Sequence, residues 1–266
     1  MTETADTALV LDEGRTERDV TERRFTVDRP AEPVPGILWT PEGATGPRPL
    51  VLFGHGGTQG KRAVNILALA RRMVRHHGFA AAAIDQPFHG DRRPDDERTM
   101  SVEERRERLG RRMFGRDRAA VVDQAVGDWT AVLDALQGLD DVGTAGPVGY
   151  WGLSMGSHFG VPFVAGEPRI AAAVLGLFGW SPTRGQEGLD DLARHVTVPV
   201  LFLVQWDDEI VARDSALQLF DLLGSADKTL HAHPGRHVEV PRDENDAAEA
   251  HFARHLSPGP TPAQGT

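Results

Sequence analysis

The chain contains no cysteine, which excludes disulfides, thiolate metal sites and a cysteine nucleophile without identifying a compartment. It also lacks any run of about 18 consecutive apolar residues, so no segment reads as a membrane span. Residues 1–32 are polar and charged, with none of the apolar character of a secretory leader; the expectation is a soluble, cytoplasmic protein with no membrane partner. Positive charge is in deficit too. Lys and Arg total 29 against 39 Asp and Glu, giving a net charge of −10, and phosphate backbones repel such a chain, so no nucleic-acid partner is expected. Both nucleotide fingerprints, GxxxxGK[ST] and GxGxxG, are missing from its glycine-rich segments.

What is present is a chain of 266 residues, 40% of them hydrophobic, enough for one large α/β domain with a substantial core. Strands are expected at 24–27, 34–39, 49–54, 79–84, 147–151, 170–178, 198–206 and 228–232, and helices at 64–76, 119–136, 157–164, 215–223 and 244–255. This alternation predicts an α/β fold: a mostly parallel central sheet of about eight strands with helices on both faces. Residues 1–20 are expected to be flexible, 21–256 to form the domain, and the Pro/Gly-rich tail 257–266 to be disordered. Residues 91–118 break the alternation with ten arginines and eight acidic residues. There Val102, Leu109 and Met113 fall on one helical face, which predicts a short charged helical insertion, read as a solvated excursion or a lid over the site.

Tyr150-Trp151-Gly152-Leu153-Ser154-Met155-Gly156 places a serine between two glycines, after a buried strand and before a helix. A nucleophile on such a strained turn needs very small residues two positions to either side. Its hydroxyl also needs a base, and the base a carboxylate. In LFLVQWDDEIV a strand ends in Asp207 and Asp208, at the sheet edge where α/β sites lie. Successive residues cannot both face one imidazole. Asp208, preceding Glu209-Ile210-Val211, is the chosen acid, and Asp207 is read as a capping or solvent-facing residue. The base is His237, presented by the turn His233-Pro234-Gly235-Arg236-His237. His231 and His233 form an HxH pair that could ligate a metal, but no third ligand is evident, so they are read as ordinary strand histidines and no metal is expected. His76, His77 and His158 are read as structural. The oxyanion donors are assigned to the amides of Met155 and of Gly57 in His55-Gly56-Gly57-Thr58-Gln59-Gly60, with Gly56 as the alternative. Phe88, Trp180 and Trp206 follow strand ends and are candidate pocket walls or core residues.

These residues resemble the α/β-hydrolase superfamily: an HG loop after a strand, a GxSxG elbow, then acid and histidine in that order, spanning about residues 24–255. HGGTQ and Asp85-Gln86-Pro87-Phe88-His89-Gly90-Asp91-Arg92 are similar to segments of the dienelactone hydrolase and prolyl-oligopeptidase-like branch. Dienelactone hydrolases carry a cysteine nucleophile where this chain has Ser154, so their substrate does not transfer. The resemblance implies an α/β-hydrolase fold and a serine esterase that hydrolyses a small-molecule carboxylic ester through an acyl-enzyme, without a cofactor. The small apolar content of 91–118 favours short acyl groups. The same residues would serve a thioesterase, acyltransferase, amidase or peptidase, and a noncatalytic binding protein on this fold is the remaining alternative.

Overall fold

Strands covered on both faces read as uninterrupted apolar runs. In the computed structural model, which describes residues 8–182 and 186–257, LVLFG forms β5 (Leu50–Gly54), every residue buried. Leu50 and Leu52 enter the core on one side of the sheet, and Val51 and Phe53 the core on the other. The same division holds in β6 (Ala80–Ile84), and β7 (Val148–Gly152), β8 (Ile170–Gly176), β9 (Val200–Gln205) and β10 (Lys228–His233) continue the parallel array. β3 (Val20–Val27) and β4 (Val34–Pro41) extend it antiparallel. With β1 (Leu9–Leu11), the order is β1-β3-β4-β6-β5-β7-β8-β9-β10, and β2 (Arg15–Glu17) pairs with β3.

This mixed, mainly parallel sheet has ten strands, two more than the sequence suggested. Both extra strands lie in the segment expected to be flexible. Leu9 and Leu11 pack against the core, and β1 pairs residue by residue with Leu9 opposite Val27. That correction applies from residue 8 onward; residues 1–7, and the tail beyond Ser257, lie outside the described residues.

α1 (Val64–His77) and α7 (Glu244–Leu256) cover one face. The other is covered by α3 (Arg118–Gln137), α4 (Met155–Gly166), α5 (Leu189–His195) and α6 (Arg213–Leu222). None of the described helices is long and apolar enough to cross a membrane. The charged insertion forms two 3₁₀ turns, Gly90–Arg92 and Asp95–Glu97, and then α2 (Val102–Phe114). A capping box starts α2: Ser101 Oγ accepts the Glu104 amide at 3.2 Å, and Glu104 accepts the Ser101 amide at 2.7 Å. Leu109 and Met113 pack with Phe88, Val121, Val122, Ala125, Met155 and Phe159. Val102 does not reach that cluster; it is 51% exposed.

Chain direction across the sheet reverses at β5, whose parallel neighbours are β6 on one side and β7 on the other. Such a switch point opens a crevice at the carboxyl ends of the strands. The HGG loop leaves β5 there, and the Ser154 turn leaves β7 beside it.

Candidate active site

The Ser154 turn is built by close backbone approach. Ser154 has φ +58° and ψ −117°, a region costly for a residue with a side chain and held only by its surroundings. A Cβ on Gly152 would lie 2.7 Å from Gly156 O, and one on Gly156 would lie 2.3 Å from Gly54 O, so neither position admits a side chain. Ser157 Oγ braces the turn, donating to Gly152 O at 2.7 Å and accepting the Gly176 amide at 2.8 Å. Tyr150, the only tyrosine in the chain, donates its hydroxyl to Gly156 O at 2.8 Å from beneath. Burial raises its pKa well above the ordinary value, so the phenol stays a donor.

Ser154, His237 and Asp208 come together in one hydrogen-bonded chain. Ser154 Oγ lies 2.9 Å from His237 Nε2, and His237 Nδ1 lies 2.7 Å from Asp208 Oδ2. Asp208 Oδ1 accepts the amides of Ile210 and Val211, both at 2.8 Å, which fixes the carboxylate plane. Burial pushes the Asp208 pKa up, but the His237 hydrogen bond and those two amides outweigh it and hold the carboxyl below its usual range. Asp207 stays outside the chain: its side chain is 66% exposed, and its amide donates to Gly235 O at 3.0 Å.

The loop bearing His237 is anchored by residues the sequence did not single out. Glu209 accepts the His237 amide at 3.0 Å, Gln205 donates to Arg236 O at 3.1 Å, and Glu239 accepts the Arg236 amide at 2.7 Å. Glu209 adjoins the chosen acid, which was its one visible signal. Gln205 ends an otherwise apolar buried strand, an anomaly that marks it out.

His55 holds the HGG loop in place. Its Nδ1 lies 2.8 Å from Gly56 O, and its Nε2 accepts the Gln86 amide at 3.0 Å; burial lowers its pKa to about 4, so the ring is neutral. The Gly56 amide donates to Gln59 Oε1 at 3.1 Å and is occupied. No hydrogen bond engages the Gly57 or Met155 amide among the described residues. Behind this loop, Asp85 Oδ1 accepts the Lys61 amide at 2.8 Å, and its Oδ2 lies 2.5 Å from Lys61 Nζ.

Of the candidate pocket residues, only Phe88 joins the cluster containing Met155, beneath α2 with Arg112 stacked 4.1 Å from its ring centre. Trp180 packs against the main core. Trp206 is 41% exposed under the Arg213 guanidinium, 4.0 Å from its ring centre. His158, one turn past Ser154, is buried against Phe178, and burial lowers its pKa to about 4. His76 and His77 meet Glu249 at 2.6 and 2.9 Å. The HxH pair does have a third neighbour, Glu244, which the sequence reading missed because it lies beyond the loop, on α7.

No family model and no curated protein sequence matches the chain. Among solved structures it is similar to a cold-adapted esterase from an Arctic intertidal metagenomic library, in complex with PEG. That likeness has 36% identity over 92% of this chain and 98% of the other, with a TM-score of 0.74. The fold recurs in an acetyl xylan esterase from Paenibacillus sp. R4, at 17% identity over 94% and 89% of the two chains and a TM-score of 0.72. A Klebsiella pneumoniae protein assigned as a dienelactone hydrolase shares it at 19% identity over 93% and 100%, with a TM-score of 0.68. With the cold-adapted esterase matched over nearly its whole length, the chain belongs to the α/β-hydrolase family of carboxylic ester hydrolases.

Proposed function

We propose that the protein hydrolyses small-molecule carboxylic esters with Ser154 as nucleophile, His237 as base and Asp208 as the residue that orients the imidazole. The observation that carries this reading is the unbroken chain from Ser154 Oγ through His237 to Asp208, at 2.9 and 2.7 Å. Ser154 Oγ attacks the ester carbonyl carbon as its proton passes to His237 Nε2. The carbonyl oxygen takes up the negative charge and is held by the Met155 and Gly57 amides. When the tetrahedral species collapses, the alcohol leaves with the proton from His237 Nε2 and the acyl group stays on Ser154. Water then repeats the sequence, releasing the acid and regenerating Ser154. The occupied Gly56 amide supports Gly57 as the donor from the loop.

The acyl side is bounded by Phe88, Leu109 and Met155, with α2 lying across it as a lid. Leu109 Cδ2 lies 3.2 Å from where a Cβ on Gly57 would sit, so α2 closes directly on the oxyanion loop. That closeness supports short acyl groups. The test is turnover of p-nitrophenyl esters from acetyl to palmitoyl. Ser154→Ala is expected to lose at least ~10³-fold in kcat on the best of them and to lose labelling by a fluorophosphonate, with an unchanged circular dichroism spectrum. Near-normal turnover by the variant would reject Ser154 as nucleophile, and rates rising steadily toward palmitoyl would reject the short-chain assignment.

A further inference from the structure

β10 is the edge strand of the parallel array, and His231 and His233 stand two residues apart on it, hence on one face. Their register partners on β9 are Leu203 and Gln205. Leu203 lies in the core beneath α1 and α7, so the two imidazoles face the start of α7. Glu244, its first residue, meets them with a carboxylate whose side chain is only 6% exposed. Glu244 Oε1 lies 2.9 Å from His231 Nδ1 and 2.5 Å from His233 Nε2. One ligand atom from each of the three residues lies within 4.8 Å of the others.

We propose that His231, His233 and Glu244 form a binding site for a divalent transition-metal ion of the zinc class, separate from Ser154. Two imidazole nitrogens and one carboxylate oxygen are a donor set that zinc accepts at about 2.0–2.2 Å, with water completing a tetrahedron. Ligands at that length stand about 3.3 Å apart, so the present nitrogen–oxygen separations need to widen by less than about 1 Å. Calcium and magnesium prefer oxygen ligands in larger number and fit the imidazole pair poorly.

Local charge separates this cluster from the other His/Glu group. Glu249, which meets His76 and His77, is already paired with Arg72 at 2.6 Å, and that guanidinium opposes a second cation. Among the described residues no arginine or lysine pairs with Glu244. The ligands also bracket residues 234–243, the loop that presents His237, so a bound ion would tie the end of β10 to the start of α7 and close that loop at its base. Binding does not depend on the ester chemistry proposed above.

The test is calorimetric titration of untagged, full-length, chelator-treated protein with zinc chloride, with cobalt(II) as a spectroscopic probe. One equivalent is expected to bind at micromolar metal, cobalt(II) to give the visible absorption of a four-coordinate nitrogen/oxygen site, and thermal stability to rise. His231→Gln/His233→Gln is expected to lose the heat and the spectrum, whereas His237→Ala and Ser154→Ala retain both. Stoichiometric binding that survives the double substitution, disappears in His237→Ala, or needs millimolar metal would overturn the proposal. Should the double variant fail to fold, Glu244→Gln keeps the side-chain shape while removing the anionic ligand. Loss of binding in that folded protein supports the site, and unchanged affinity refutes it.

Discussion

Asp207 and Asp208 are chemically identical neighbours whose roles are set by a single step of backbone. Asp208 points inward, accepts two amides and meets His237; Asp207 points outward, with Arg213 the nearest cation at 3.9 Å. Replacing Asp208 with Asn keeps the shape but removes the charge that would steady an imidazolium, and it allows the wrong ring tautomer. Asp208→Asn is therefore expected to lower kcat by ~10⁴-fold, while Asp207→Asn leaves it nearly unchanged. Steady-state kinetics on one p-nitrophenyl ester checks the pair, and the reverse ranking would reassign the acid. The position of Asp208 was legible because a strand end, a following apolar start and a later histidine occur in order along the chain. His55, Gln205 and Glu244 were not legible in the same way. Their partners are Gln86, Arg236 and the β10 histidines, and only the folded chain brings these groups within reach.

At the scale of elements, the buried strands could be read because coverage on both faces leaves apolar runs. β1 and β2 could not, since each is a three-residue edge strand and RTE is fully exposed. α5, at seven residues, falls below the length at which helical periodicity shows. In α2 the sequence placed Val102 with Leu109 and Met113. The three share a face, but at about 1.5 Å per residue Val102 stands roughly 10 Å up the helix from Leu109, past the edge of the core it would need. What binds α2 down is largely ionic. Glu97, 3% exposed, forms ion pairs with Arg112 at 2.7 Å and Arg108 at 3.2 Å, and Arg112 in turn covers Phe88. Both arginines are partly exposed, so solvent weakens the pairs, but removing the shared carboxylate frees Arg112 and leaves Arg108 only its exposed partner Asp96, at 2.7 Å. Glu97→Ala is expected to speed tryptic cleavage within Val102–Phe114 several-fold with little change in global melting temperature. Cleavage at the wild-type rate would show that α2 is held by Leu109 and Met113 alone.

Across the whole molecule, burial keeps three histidines near the active-site crevice neutral. Burial depresses His55 and His158 to about 4 and His89 to about 3, whereas the unfolded chain titrates near the ordinary value of about 6.5. Between those limits the unfolded state binds protons that the folded state refuses. Stability therefore falls as pH drops from about 6.5 toward 4, by up to ~1.4 kcal/mol per pH unit for each such group. Asp208 and Glu249, both held below their usual range, act in the same direction but only at lower pH, as the medium passes through their depressed folded values. Asp128, pushed up by burial against the pull of Arg92 and Arg29, works in the opposite sense. The interval from pH 6.5 to 4.5 lies above the range of the depressed carboxylates, so there the histidines act against Asp128 alone among these groups, and it includes the sequence pI of about 5.5, where weak net charge favours association, so the measurement belongs at low protein concentration. Melting temperature is expected to decline through that interval in the wild type and less steeply in His89→Gln, which has one fewer proton to take up on unfolding. A melting temperature flat down to pH 4.5, or a slope unchanged in the variant, would show that these imidazoles do not govern the acid stability of the fold.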